Sequence, residues 1–162
     1  MKKKPSKKIL SGQANKLINK YAFGSSLFGY IPFPVVDALG IMAIQRKMLF
    51  HLAKIYDIPF SRSLAKDLLR TLAGGIASRA AFPMAIKIIP GINVLFGSIG
   101  MAAIGSASTY AVGTTFKRHF EAGGTLEDFD PDEEQEIFEA ELKKGITLSL
   151  KTQKSQKKGK KS

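Results

Sequence analysis

The chain has 162 residues, enough for one domain with a sizeable core. It holds no cysteine, which excludes disulfides, thiolate catalysis and cysteine-type zinc sites. Its formal net charge of +12 belongs to the two ends. Residues 1–20 carry seven lysines and residues 146–162 six, with no acid in either, whereas residues 21–145 hold twelve Lys or Arg against thirteen Asp or Glu. A basic nucleic-acid-binding face on the domain itself is therefore not expected.

In chain order, residues 1–8 read as a charged, disordered arm that buries too little apolar surface to offset its ordering entropy. Ile9, Leu10, Ala14, Leu17 and Ile18 have the spacing of a short amphipathic helix. It either lies on an anionic surface or stays a solvated helix. Lys16 and Lys20 interrupt the chain before an apolar run develops, so a cleaved secretory signal is not expected. Residues 21–34, rich in Gly, Ser, Pro and aromatics, read as a lead-in that is extended over Ile31–Pro34.

A helix follows over about 35–56, with Pro34 in its first turn and Asp37 near its positive end. Val35, Ala38, Ile41, Met42, Leu49, Leu52, Ala53 and Tyr56 form its apolar arc, which Met48 extends. Gln45 falls inside that arc, where an unpaired amide costs about 1–3 kcal/mol, so a hydrogen bond to a neighbouring backbone is favoured over ligand contact. Asp57-Ile58-Pro59 breaks the helix and Ser61 caps the next, expected over 62–81. Gly74-Gly75 in its middle implies a close neighbour.

The stretch from Ile88 to Phe116 has no charged side chain, with Lys87 and Lys117 at its ends. It suits either a helix crossing most of a bilayer or the buried central helix of a bundle, expected over 92–122. Small residues crowd it, and Ser98, Ala102 and Ser106 repeat every four positions, a spacing that brings helices close together. Gly123-Gly124 stops it. Asp130, Pro131 and Glu133 then open an amphipathic helix over 131–144 with a capping box. These features predict an all-α fold, a compact helical bundle of about four main helices with a small-residue-rich central helix. They divide the chain into a basic arm (1–20), a helical domain (21–145) and a disordered lysine-rich tail (146–162).

The sequence contains no P-loop, no G-x-S-x-G and no H-E-x-x-H, and its two histidines, His51 and His119, are far apart. No catalytic, cofactor-binding or metal-binding residue is assigned, and the acids of 128–134 read as a solvated helix start. The punctuated helices nevertheless resemble the bacterial domain-of-unknown-function family typified by YcjF, often found fused behind small GTPase domains. The resemblance rests on Ile31-Pro32-Phe33-Pro34 leading to Asp37, then Gln45 and Met48, and Leu52-Ala53-Lys54-Ile55-Tyr56. It continues in Ile89-Pro90-Gly91, Thr109-Tyr110-Ala111-Val112-Gly113 and Phe120. The structural or interaction candidates are thus Asp37, Gln45, Met48, Tyr56, Pro90, Gly91, Thr109, Tyr110 and Gly113. Asp57 and Asn93 stand where the family pattern usually has glycine.

The resemblance implies a helical, membrane-associated protein working beside a GTPase, which must act in trans because this chain has no GTPase domain. The favoured function is a non-catalytic membrane-associated module that scaffolds or regulates a partner. The alternative is a soluble helical protein that binds nucleic acid through its lysine-rich tails. Expected partners are an anionic membrane surface, the GTPase and, through the small-residue helix faces, a second copy. If 92–113 inserts beside 62–87 as a hairpin, the thirteen tail lysines place both termini in the cytoplasm.

Overall fold

The computed structural model describes the backbone of residues 5–26, 34–78 and 98–159, with the side chains of 5–26, 39–75, 103–149 and 151. These residues form five helices and no strand: α1 (Lys7–Ser26), α2 (Pro34–Tyr56), α3 (Arg62–Ser78), α4 (Ser98–Glu121) and α5 (Gln135–Gly159). The expected all-α bundle is what the chain adopts.

Helix α4 is the axis, with α1, α2 and α5 packed on it. Its small residues explain why three neighbours fit around one helix. A Cβ at Gly113 would meet Ile18 of α1 at 2.8 Å and Met48 of α2 at 3.1 Å, and one at Gly145 of α5 would meet the Ala107 Cα at 3.0 Å. Ala103, Ala107 and Ala111 are buried on the same helix. The tightly packed central helix is the reading that holds. No helix among the described residues is long and apolar enough to cross a membrane.

Helix α2 runs parallel to α4, with Ile41 beside Gly105 and Tyr56 beside Glu121, and α1 runs antiparallel, with Ser25 beside Thr109 and Ile18 beside Gly113. Helix α3 crosses the end where α2 and α4 finish. It starts just after Tyr56, and its Gly75 lies against Gln135 at the start of α5, while Leu68, Leu69 and Leu72 enter the core. It packs on α2 and α5, and residues 79–97 of the expected hairpin of 62–87 with 92–113 lie outside the described residues.

Local capping sets the boundaries. Ser61 Oγ accepts from Leu64 N–H, opening α3. Gly123 takes φ 100°, and the N–H groups of Gly123 and Gly124 donate to the carbonyls of Phe120 (3.1 Å) and His119 (3.0 Å), the paired bonds of a Schellman stop. Asp57 makes the same stop after α2 at φ 58°, with Ile58 N–H on the Ala53 carbonyl at 2.8 Å. Asp130 Oδ1 accepts from Asp132 N–H (2.9 Å) and Glu133 N–H (3.5 Å), but residues 131–134 form a turn and α5 proper starts at Gln135.

Three further boundaries depart from the sequence reading. The arm assigned to 1–20 is mostly α1, a full member of the bundle: Ala14 and Ile18 are buried while Lys16 and Lys20 face solvent. Residues 21–26, read as lead-in, complete that helix. The tail assigned to 146–162 continues α5 to Gly159, because Ile146 is buried in the core and neither Gly nor Pro interrupts the chain from 146 to 158. In α1 the buried stripe of Ala14 and Ile18 stands opposite the lysines that dominated the composition. Segments 79–81 and 92–97, expected at helix ends, lie outside the described residues.

Candidate functional site

Two features of the bundle have the character of sites: a buried polar seam, and an end poor in charge. The seam begins at Gln45, which is buried in mid-α2. Its Nε2 donates to Ser108 Oγ at 3.1 Å and, more weakly, to Thr109 Oγ1 at 3.5 Å. Thr109 and Ser25, both fully buried, share a 2.7 Å hydroxyl–hydroxyl bond, and Ser25 donates to the Tyr21 carbonyl at 3.0 Å. The donors therefore run one way, from the Gln45 amide to the Thr109 hydroxyl, the Ser25 hydroxyl and a carbonyl. Every hydroxyl in the run has a partner, so the seam ties α2, α4 and α1 together without leaving a buried polar group unpaired.

This arrangement joins two sequence candidates, Gln45 and Thr109, and corrects the expected partner from backbone to side-chain hydroxyls. It also adds Ser25 and Ser108, which the sequence reading passed over. Both are small residues in small-residue stretches, and only the fold shows that they face an amide. Met48 and Gly113 meet at the next level down, in apolar contact. Tyr110 is half-buried against the core. The Asp37 side chain, Pro90 and Gly91 lie outside the described residues.

Tyr56 ends α2 at the opposite, charged end. Its hydroxyl donates to Glu121 Oε1 at 2.8 Å, and Lys117 Nζ lies 3.4 Å from the same oxygen. Burial and the adjacent carboxylate push the Tyr56 phenol well above its ordinary pKa. For Glu121, burial works upward, but hydrogen bonds from Tyr56 and Ser11 and the Lys117 charge outweigh it and hold the carboxyl below its ordinary value. Nearby, His119 Nε2 faces two acceptors, the Thr125 carbonyl at 3.0 Å and Asp128 Oδ1 at 3.4 Å, while Nδ1 lies 3.5 Å from Glu134 Oε1. No group of three or more His, Asp or Glu among the described residues is placed to hold a metal ion.

Along the outside of α1 and α2 runs an open cleft of about 520 Å³ with Leu10, Leu17 and Ile55 in its lining and Lys20 and Lys54 beside them. Tyr21 and His51 bridge it through a 2.8 Å hydrogen bond.

The other end is formed by the last turns of α1 and the first turns of α2 and α4. Residues 21–45 contain one charged side chain, Asp37, and residues 98–116 contain none. Ser25, Ile41 and Gly105 meet there. At that same level three large apolar side chains are exposed: Phe23 (70%), Leu39 (65%) and Ile104 (38%).

The chain is 30% identical over 142 residues to magnetosome membrane protein 22 of Magnetospirillum gryphiswaldense, a match covering 85% of this chain and 73% of the relative. No solved structure matches the chain. The profile of a domain of unknown function, DUF697, matches residues 3–145, a span that takes in the helix-stop residues, the seam and the charge-poor end; the chain belongs to the DUF697 family.

Proposed function

We propose that this chain is a non-catalytic helical module that docks on a membrane and there scaffolds or regulates a partner. The observation that carries the reading is the uneven charge along the bundle axis: uncharged stretches of α1, α2 and α4, interrupted only by Asp37, converge at one end beside the lysine-bearing continuation of α5, while the other acidic residues lie away from it. A soluble protein has no need to concentrate uncharged sequence at one end, whereas a protein resting on lipid does. The relative's name, a membrane protein, supports the same reading. The six lysines in residues 146–162 suit an anionic lipid surface, each adding about 1 kcal/mol before screening. We place the chain on the cytoplasmic face of such a membrane, with both termini in the cytoplasm, where those lysines meet the negative potential of an anionic leaflet. The partner is a GTPase, as the family resemblance implies.

Flotation of the full chain with anionic vesicles tests the docking. The protein should float, and should partly resist release by high salt because apolar contact adds to the lysine attraction. A full chain that stays at the bottom of the gradient with anionic vesicles defeats the proposal. The nucleic-acid alternative is tested by replacing tail lysines with glutamine. Truncation is unsuitable, since removing 1–20 or 146–162 would strip Ala14, Ile18 or Ile146 from the core. A GTPase whose nucleotide turnover and membrane recruitment ignore a saturating amount of this chain is not its partner.

A further inference from the structure

We propose that the lipid-contacting surface is the end of the bundle where α1 finishes and α2 and α4 begin, with Phe23, Leu39 and Ile104 entering the interface and the continuation of α5 lying among anionic headgroups. The inference rests on the membrane reading above and adds to it an orientation, three contact residues and a lipid class.

Three observations lead to it. The exposed side chains come from three different helices yet occupy one level of the molecule, since Phe23 is two residues from Ser25, Leu39 two from Ile41 and Ile104 next to Gly105, and those three residues meet. Exposed apolar side chains at one level of three different helices suit a deformable apolar phase, which receives them without a shaped concavity. An aromatic ring at such a rim is suited to the boundary between headgroups and acyl chains.

The third observation concerns charge. Gly145 of α5 lies against Ala107, and α5 then continues fourteen residues to Gly159, about 21 Å at helical rise. Only nine residues, about 13 Å, separate Ala107 from the start of α4. Helix α5 thus passes the level of the apolar rim, and the positions beyond it include Lys151, Lys154, Lys157 and Lys158. Apolar residues in the interface with cations beside them is the arrangement that anionic lipid recognises.

The chain has no tryptophan, so single introduced tryptophans report cleanly. Full-length Phe23→Trp and Phe50→Trp proteins are titrated with vesicles of phosphatidylcholine and phosphatidylglycerol, some carrying brominated acyl chains. Phe50 is also exposed (45%) but stands eleven residues past Leu39 on α2, about 16 Å along the axis. Emission of the Phe23→Trp protein should shift to the blue and be quenched at least twofold by brominated lipid, with little change for Phe50→Trp. The triple variant Phe23→Ser/Leu39→Ser/Ile104→Ser should bind vesicles at least tenfold more weakly while keeping its helical circular dichroism. Should the triple variant misfold, the two tryptophan proteins still decide. Wild-type protein that does not bind vesicles overturns both this inference and the membrane reading. Binding without quenching in the Phe23→Trp protein overturns the orientation alone and leaves the membrane reading standing. Quenching confined to Phe50→Trp does the same. Phe23→Trp emission already blue before lipid is added, and unchanged by it, means that residues 27–33 or a second copy cover the rim, and also overturns the inference.

Discussion

The two ends of the bundle solve opposite problems. At the charged end, where α2 and α4 finish, every local device for closing a fold is in use. Two Schellman stops end helices at Asp57 and Gly123, Phe116 stacks on Phe129 at 4.0 Å with ring planes 8° apart, and His119 reaches Thr125, Asp128 and Glu134. At the charge-poor end, Phe23, Leu39 and Ile104 stand in solvent. Stability is concentrated where the polar groups pair with one another, and a binding role belongs where apolar surface has been left over.

The strongest way to break the contrast is to empty the core at the charged end. Phe116 is fully buried, and Phe116→Ala should destabilise the fold by about 3–5 kcal/mol in equilibrium denaturation. Serine at Phe23 should change stability far less, because that ring is already exposed. Equal losses at the two sites would show that the charge-poor end is as tightly packed as the charged one.

The polar seam lies between the two ends and should respond to charge more than to shape. Gln45→Glu puts a carboxylate into a buried site with no cation beside it among the described residues, and should cost about 1–3 kcal/mol. Gln45→Leu should cost less than about 1 kcal/mol, since Thr109 and Ser25 keep each other as partners. Urea unfolding of the two variants ranks them. A leucine variant weaker than the glutamate variant would mean that the amide is indispensable to the seam.

Asp57 offers a smaller effect in the opposite direction. Its φ of 58° is costly for a residue bearing a Cβ and free for glycine, the residue the family pattern usually places there. Asp57→Gly should raise stability by a few tenths to about 1 kcal/mol, and Asp57→Val should lower it by about 1 kcal/mol. An unchanged melting temperature in both variants would show that this stop carries no strain.

How much of this was legible in the sequence follows from the range of the interactions. Ser61, Gly123-Gly124 and Asp130 act on backbone groups within five residues of themselves, and each was readable in place. The identity of α1 as a core helix was not, because Ala14 and Ile18 are isolated apolar residues in a lysine-rich stretch whose burial depends on Gly113 and Met48. The extension of α5 was hidden in the same way, by lysines that obscure the buried Ile146. Gln45 was conspicuous as an amide in an apolar arc. Its partners were invisible, since Ser108 and Thr109 are more than sixty residues away and serine in a small-residue helix has many uses.

The smallest expected effect separates the ends by pH. Asp128 is exposed, yet the hydroxyl and then the backbone N–H of Thr125 donate to its Oδ1, at 2.6 and 2.5 Å, and lower its pKa from the usual 3.8 to about 2. Because the folded value lies below the unfolded one, the carboxylate contributes its full stabilisation above about pH 4 and loses it as pH falls from there toward 2. Glu121, also held below its ordinary value, loses its contribution to Tyr56 and Lys117 in the same acid direction. Both groups belong to the charged end, whereas the stretches that converge at the level of Phe23, Leu39 and Ile104 carry a single acidic residue, Asp37. Acid should therefore loosen one end first, seen as faster amide exchange over 119–130 than over 103–112. Asp128→Asn isolates the local part: its melting temperature should lie slightly below that of wild type near neutral pH, and the difference should vanish by about pH 2. A difference that persists at that pH would assign the role of Asp128 to its shape, and the acid sensitivity of this end to Glu121 alone.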